Sequence, residues 1–316
     1  MQNNKMWAYL IHLSCHMWWD ENSPPWGMYM PPFYQESNNT NLEIWDNTIQ
    51  QLPEMGINTL LIDVGDAIQY ESHPEISAPD AWSKDFLKKK LDEIRALGMT
   101  PIPKLNFSTC HDIWMRPYDR MISTPTYYQV CADLIKEVCE LFGYPKLFHL
   151  GFDEETYGHQ QDYGIAVIRH EHMWFHDLYF LCDECEKYGA RPWVWSDYFW
   201  DHPEAFAKNM PKSVLQSNWY YARFNREPSE RELVRISTYD RLDQLGYEQV
   251  PTGSTWGSNT NLHQTLGYCK DRLNPDRLLG FMDAQWYHTK PGNYYALLSG
   301  AERLYEARKI WYPETL

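Results

Sequence analysis

Glu186-Lys187-Tyr188-Gly189 runs almost directly into Arg191-Pro192-Trp193-Val194-Trp195. A polar, helix-prone stretch stops at a glycine, and a short β-rich run follows. Glycine suits that stop because a left-handed helix cap costs least where there is no Cβ. The same junction recurs in both directions. Leu52-Pro53-Glu54-Met55-Gly56 leads into residues 57–63, Ile94-Arg95-Ala96-Leu97-Gly98 into 100–105, Glu140-Leu141-Phe142-Gly143 into 146–150, and Gln244-Leu245-Gly246 into 249–252. The glycines recur about every 45 residues, enough for one strand–helix unit each. The last interval is longer and leaves room for a further strand at 213–219.

Two more β-rich runs, at about residues 6–15 and at 279–286, bring the count to eight strands, each followed by a helix. Such alternation implies parallel pairing through right-handed crossovers. Eight units over residues 1–316 predict one (β/α)8 barrel. A doubly wound open sheet is the alternative, but no glycine-rich phosphate loop follows any of the strands. Residues 21–41, rich in Pro, Asn and Ser, form the longest loop, after the first strand.

Composition narrows the function. The chain carries 28 Lys+Arg against 43 Asp+Glu, a net charge of −15. That balance excludes a phosphate-backbone partner, so no nucleic acid is expected, and it fits a neutral sugar. No apolar run is long enough for a membrane span. The polar start, Met1 to Lys5, and the short run after it do not read as a signal peptide. Seven cysteines, an odd number, suit a reducing cytoplasm better than a disulfide framework. The many aromatics, 15 Trp and 23 Tyr among them, fit a homodimer as well as a large core.

In a barrel of this kind the chemistry sits at the C-terminal ends of the strands. Those ends gather acids, histidines and tryptophans: His111 after the third strand, His149, Asp153 and Glu154 after the fourth, Trp195 and Asp197 after the fifth. Trp219 and Tyr220 follow the sixth, Trp256 the seventh, and Trp286 and His288 the eighth. Carboxylates beside flat aromatic walls are what a sugar site needs. The acids handle protons and cationic charge, and the rings pack against the apolar faces of the sugar. Adjacent carboxylates on an extended strand end point to opposite sides. Asp153 and Glu154 therefore do not read as the facing pair of an ordinary retaining glycosidase.

The run His149-x-Gly151-x-Asp153-Glu154 resembles the His-x-Gly-Gly-Asp-Glu motif of family 20 glycoside hydrolases, the β-N-acetylhexosaminidases. The resemblance implies that Glu154 is the general acid/base. It implies that Asp153 orients the substrate's 2-acetamido group, which is the nucleophile. His111 keeps the family's histidine after the third strand, though Thr109-Cys110 replaces the Pro-Gly before it. Trp195-Ser196-Asp197 matches a Trp-x-Asp, Trp219 a pocket tryptophan, and Trp286 the start of a Trp-x-Glu whose acid position holds His288. Two features depart from the pattern. Cys15 stands where the family places a sugar-clamping Arg, and the seventh strand ends in Trp256 rather than a Tyr, leaving Tyr220 or Tyr221 as substitutes.

Other signals read as structure. Cys182-Asp183-Glu184-Cys185 falls within a helix without a second pair, so it is no zinc site. His170-Glu171-His172 and Lys88-Lys89-Lys90 read as solvated helix faces. Trp18, Trp19 and Trp26 suit either loop packing or an outer cleft wall. No cofactor and no resident metal is expected. Two other readings stay open: a metal-dependent hydrolase using His12, His16, His111, His149, His288 and Asp153, and a non-catalytic carbohydrate-binding barrel.

Overall fold

The computed structural model describes residues 5–17 and 36–316. The chain runs β1 Met6–His12, α1 Leu42–Gln51, β2 Thr59–Asp63, α2 Lys84–Ala96, β3 Thr100–Lys104, α3 Pro125–Leu141, β4 Leu147–His149 and the short α4 Tyr157–Gln160. It continues with α5 Glu171–Lys187, β5 Arg191–Trp195, α6 Tyr198–Asp201, α7 Pro203–Asn209, β6 Leu215–Ser217, α8 Glu230–Gln244, β7 Thr252–Gly253, α9 Asn261–Arg272, β8 Gly280–Ala284 and α10 Tyr294–Trp311. All eight strands pair in parallel in the order β6-β5-β4-β3-β2-β1-β8-β7. Parallel bridges Gln216–Gln249 and Trp219–Thr252 join the last pair, β6 to β7. The architecture is the (β/α)8 barrel expected from the strand–helix alternation. Trp18, Trp19 and Trp26 lie outside the described residues.

The five junction glycines have φ between 71° and 84°, the left-handed cap their position in the sequence predicts. Helix starts are fixed by side chains. Asn41 accepts from the Ile44 N–H, and Ser229 forms a reciprocal capping box with Glu232 at the start of α8. In α2, Lys88 and Lys89 are exposed, but Lys90 is buried and donates to Asp46 at 2.6 Å and Glu93 at 3.0 Å. The charged run is thus not one solvated face, because its third residue falls on the inner side of the helix. Cys182 and Cys185 are buried in α5, and all seven cysteines are free thiols. Among the described residues, no helix is long and apolar enough to cross a membrane.

Strand alternation sorts the core into two shells. Trp7, Tyr9, Ile11, Leu60, Ile62, Phe148 and Val194 point outward and pack against the helices. Ala8, Leu10, Leu61, Ile102, Trp193 and Trp195 fill the barrel interior. Above this apolar fill lies a buried polar layer. Lys104 donates to Asp63, and His12 Nδ1 lies 3.4 Å from the same Asp63 oxygen. This layer is the floor beneath the mouth of the barrel.

Candidate active site

The segment leaving β4 does not continue as a strand. Gly151, Phe152 and Glu154 have φ of 75°, 70° and 60°, so three of four consecutive residues are left-handed. For a non-glycine residue this conformation costs about 1–3 kcal/mol and persists only where the surroundings enforce it. Here they do. A Cβ on Gly151 would stand 1.9 Å from Asn106 Oδ1, so only glycine lets β3 and β4 approach so closely. Asn106 donates to Asp153 Oδ1 at 2.9 Å, and Ser108 Oγ donates to the Asp153 carbonyl. The Glu154 N–H donates to Asp197 Oδ2 at 2.8 Å. Phe152 packs edge-on to Trp174, with the Arg169 guanidinium 4.7 Å above its ring.

The turn reverses what an extended strand would do. Asp153 Oδ2 lies 3.3 Å and Glu154 Oε2 3.4 Å from one atom, His111 Nε2. The opposite-facing pair expected of adjacent strand residues is therefore corrected: the left-handed turn brings both acids to one imidazole. Glu155 takes a third direction, into a buried pair with Arg169 at 2.6 Å. Arg169 also holds Asp177 at 2.8 Å and donates to the Phe107 carbonyl. Glu155 therefore anchors the turn rather than facing the mouth.

His111, Asp153 and Glu154 line a cavity of about 240 Å³ together with Trp219, Tyr221, Trp256 and Trp286. Trp219 and Tyr221 stack at 5.1 Å, and the Trp219 indole donates to Asp197 Oδ1 at 3.2 Å. Asp197 thus holds both the Glu154 backbone and the tryptophan wall. On the far side of Glu154 a second cleft of about 460 Å³ is bounded by Glu154, Asp197, His159, Tyr198, Trp200 and Arg235. His159 Nε2 lies 3.4 Å from the other oxygen of Glu154. Glu154, with about a quarter of its side chain exposed, is the partition between the two spaces.

Burial acts on His111, Asp153 and Asp197 alike. It lowers the His111 pKa, but the two facing carboxylates outweigh it and push that pKa up to about 10, so the ring is an imidazolium at neutral pH. Burial raises the Asp153 carboxyl, yet the His111 charge, its hydrogen bond, Lys104 and Asn106 overcome it and hold Asp153 well below the usual carboxylate range. Asp197, which shares the larger cleft with Arg235, shifts the opposite way. Burial, then the charges of Asp153 and Glu154, push it upward.

Four of the expected site residues lie elsewhere. Trp195 is completely buried inside the barrel, 4.6 Å from the His149 ring and 6.1 Å from Trp286. It falls one layer below the rim, and Asp197, two residues on, reaches the edge of the site. His149 is likewise interior and accepts the Gly151 N–H at its Nδ1. Burial and Lys104 push its pKa well down. Tyr220 turns outward and donates to Glu232 at 2.8 Å, whereas Tyr221 shares the inward parity of Trp219 and lines the cavity. His288 is buried beside the first-strand histidines, and burial, with His12, Lys290 and His16, pushes it down to about 3. The six donors of the metal-hydrolase alternative do not gather at one point: only His111 and Asp153 pair with each other, while His12 pairs with Asp63 and His16 with Asp66. Asn106 and His159 are the neighbours of the acids that the sequence did not single out.

No protein-family model matches the sequence, and no curated protein matches it either. Solved structures do match the fold. A chitobiase of Flavobacterium johnsoniae superposes with a TM-score of 0.64 at 14% identity, over 86% of this chain and 47% of that one. A β-N-acetylhexosaminidase from Bacteroides fragilis gives 0.64 at 11% identity, over 98% of this chain and 71% of that one. Dispersin B gives 0.58 at 15% identity, over 96% of this chain and 98% of that one. The chain spans about half the length of the Flavobacterium enzyme. At these identities the likeness lies in the fold: the barrel is built like those of the chitobiase, the Bacteroides β-N-acetylhexosaminidase and Dispersin B.

Proposed function

We propose that the chain is a glycoside hydrolase, a divergent relative of the family 20 β-N-acetylhexosaminidases, that removes a terminal N-acetylhexosamine with retention. The observation that carries this reading is the convergence of Asp153 and Glu154 on His111 at one end of an indole-walled cavity. That cavity, about 240 Å³, is smaller than the 300–1,000 Å³ typical of drug-sized ligand sites and suits one sugar ring. The fold likeness supports the same assignment.

In the proposed reaction the sugar ring lies against Trp219, Trp256 and Trp286. Glu154, at the partition, gives its proton to the glycosidic oxygen as the C1–O bond breaks, and the departing group leaves on the side of the 460 Å³ cleft. The acetamido oxygen of the substrate attacks C1 from the opposite face. Asp153, held ionised by His111 and Asn106, accepts the acetamido N–H and offsets the positive charge of the resulting oxazolinium ring. Water then attacks C1 and returns its proton to Glu154, and the acetamide re-forms. Tyr221 stands in for the strand-7 tyrosine as the donor to the acetamido oxygen. Cys15 in place of the clamping Arg, and His288 in place of an acid, alter how the far hydroxyls of the sugar are read. Seven free thiols fit action in a reducing, cytoplasmic setting.

The test is a panel of aryl β-glycosides bearing GlcNAc, GalNAc, glucose and galactose. Turnover confined to the two acetamido sugars is expected. Equal turnover of glucose and GlcNAc contradicts substrate assistance, and binding without turnover of any of them favours a binding barrel.

A further inference from the structure

Cys110 sits beside other donor groups at the mouth of the barrel. It occupies the tight turn after β3, where its N–H donates to Ser108 Oγ at 3.1 Å and the His111 N–H to the Ser108 carbonyl at 3.0 Å. The turn fixes consecutive Cys and His side chains in front of the end of β4. The Cys110 sulfur, a His111 ring nitrogen and a Glu154 carboxylate oxygen all lie within 4.8 Å of one another. Among the described residues this is the one such group of three or more donors. Nothing in the proposed hydrolysis uses the thiol.

We propose that Cys110, His111 and Glu154 form an inhibitory site for a thiophilic divalent cation such as Zn²⁺. Thiolate, imidazole and carboxylate together are a zinc-type donor set. Metal–ligand bonds of about 2.0–2.3 Å put tetrahedral donors about 3.5 Å apart, so the three groups close by about 1 Å on binding. The cavity beside His111 and Glu154 leaves the fourth position to water. On binding, the thiol, the imidazolium and the protonated Glu154 carboxyl each release a proton to solvent, and three lone pairs go to the metal. Glu154 then has no proton to give and cannot act as the acid. Without metal, burial and then the charges of Glu154 and Asp153 keep the thiol protonated and inert. The site thus makes turnover conditional on a low level of free soft metal.

The inhibition rests on the glycosidase reading; the binding does not, and two arms keep them apart. In the first, buffered Zn²⁺ is titrated against turnover of an aryl N-acetylhexosaminide. At least a tenfold loss at saturating Zn²⁺, reversed by a chelator, is expected. Cys110→Ser should weaken that inhibition about 100-fold while its metal-free turnover stays within about twofold of the parent. In the second arm, Cd²⁺ is titrated into the full chain and the cadmium–thiolate charge-transfer absorption is followed. One equivalent is expected in the parent and none in Cys110→Ser, with Cys110→Ala as the alternative variant where Ser does not fold. Equal inhibition of parent and variant, or activation by Zn²⁺, overturns the proposal and leaves the glycosidase reading standing. If no sugar is hydrolysed, that reading fails, and the Cd²⁺ titration alone decides whether the site exists.

Discussion

Asp153 and Glu154, neighbours in the chain, stand 3.3 and 3.4 Å from the same nitrogen of His111. An extended backbone keeps adjacent side chains apart, so the contact depends on the left-handed turn at Phe152 and Glu154. It gives two carboxylates two environments. Asp153, buried against a cation, is held as an anion, while Glu154 keeps solvent contact and borders the larger cleft.

His111 is the source of that asymmetry. In His111→Gln the strongest stabiliser of ionised Asp153 is gone, and burial then raises its pKa. The acid limb of the kcat/KM profile should move up by about one to three pH units. Rates measured across pH on one aryl substrate check this. An unmoved acid limb would mean that Asp153 takes its charge state from other neighbours.

The same pair ties stability to pH. The folded His111 pKa, about 10, lies above the ordinary 6.5, so its contribution is complete below pH 6.5 and fades as pH climbs toward 10. The Asp153 pKa lies below the ordinary 3.8, so its contribution is present above that value and is lost on acidification. Thermal unfolding of Asp153→Asn should show less loss of Tm than the parent as pH falls below about 4.

Tyr220 and Tyr221 separate a structural from a site role. Tyr221→Phe should cut kcat by about 10²–10³, the cost of losing one transition-state donor. Tyr220→Phe removes a bond to half-exposed Glu232 and should leave kcat unchanged. Reversal of the two results would place the outward parity of Tyr220 in error.

Beneath the site, Lys104 and Asp63 are an ion pair with almost no solvent contact. Lys104→Met strands a buried carboxylate and should destabilise the barrel by about 3–5 kcal/mol. Adding Asp63→Leu should recover much of that loss in denaturant melts.

Much of this was legible in the chain. The glycine-terminated helices and the runs after them disclose eight strand–helix units, because left-handed caps and short β-rich runs are local properties. Asp153, Glu154, His111, Trp219, Trp256 and Trp286 were marked by residue type at strand ends, and all six line one cavity. Trp195 and His149 face the interior but lie one layer below the rim, a depth that no local pattern marks. Tyr220 misses by alternation, pointing outward where Tyr221 points in. Lys90 shows the same effect with helical period. Asn106, His159 and the anchoring of Glu155 by Arg169 depend on long-range contacts across loops, and no local pattern announces them.

The proposed proton donor is Glu154. The most direct measurement of that role is kcat for Glu154→Gln on two N-acetylglucosaminides, one with a poor alkoxide leaving group and one with dinitrophenolate. A loss of about 10²–10⁴ is expected on the first and a much smaller loss on the second, which needs no protonation. Equal losses on both, or unchanged turnover on the alkoxide substrate, would contradict it.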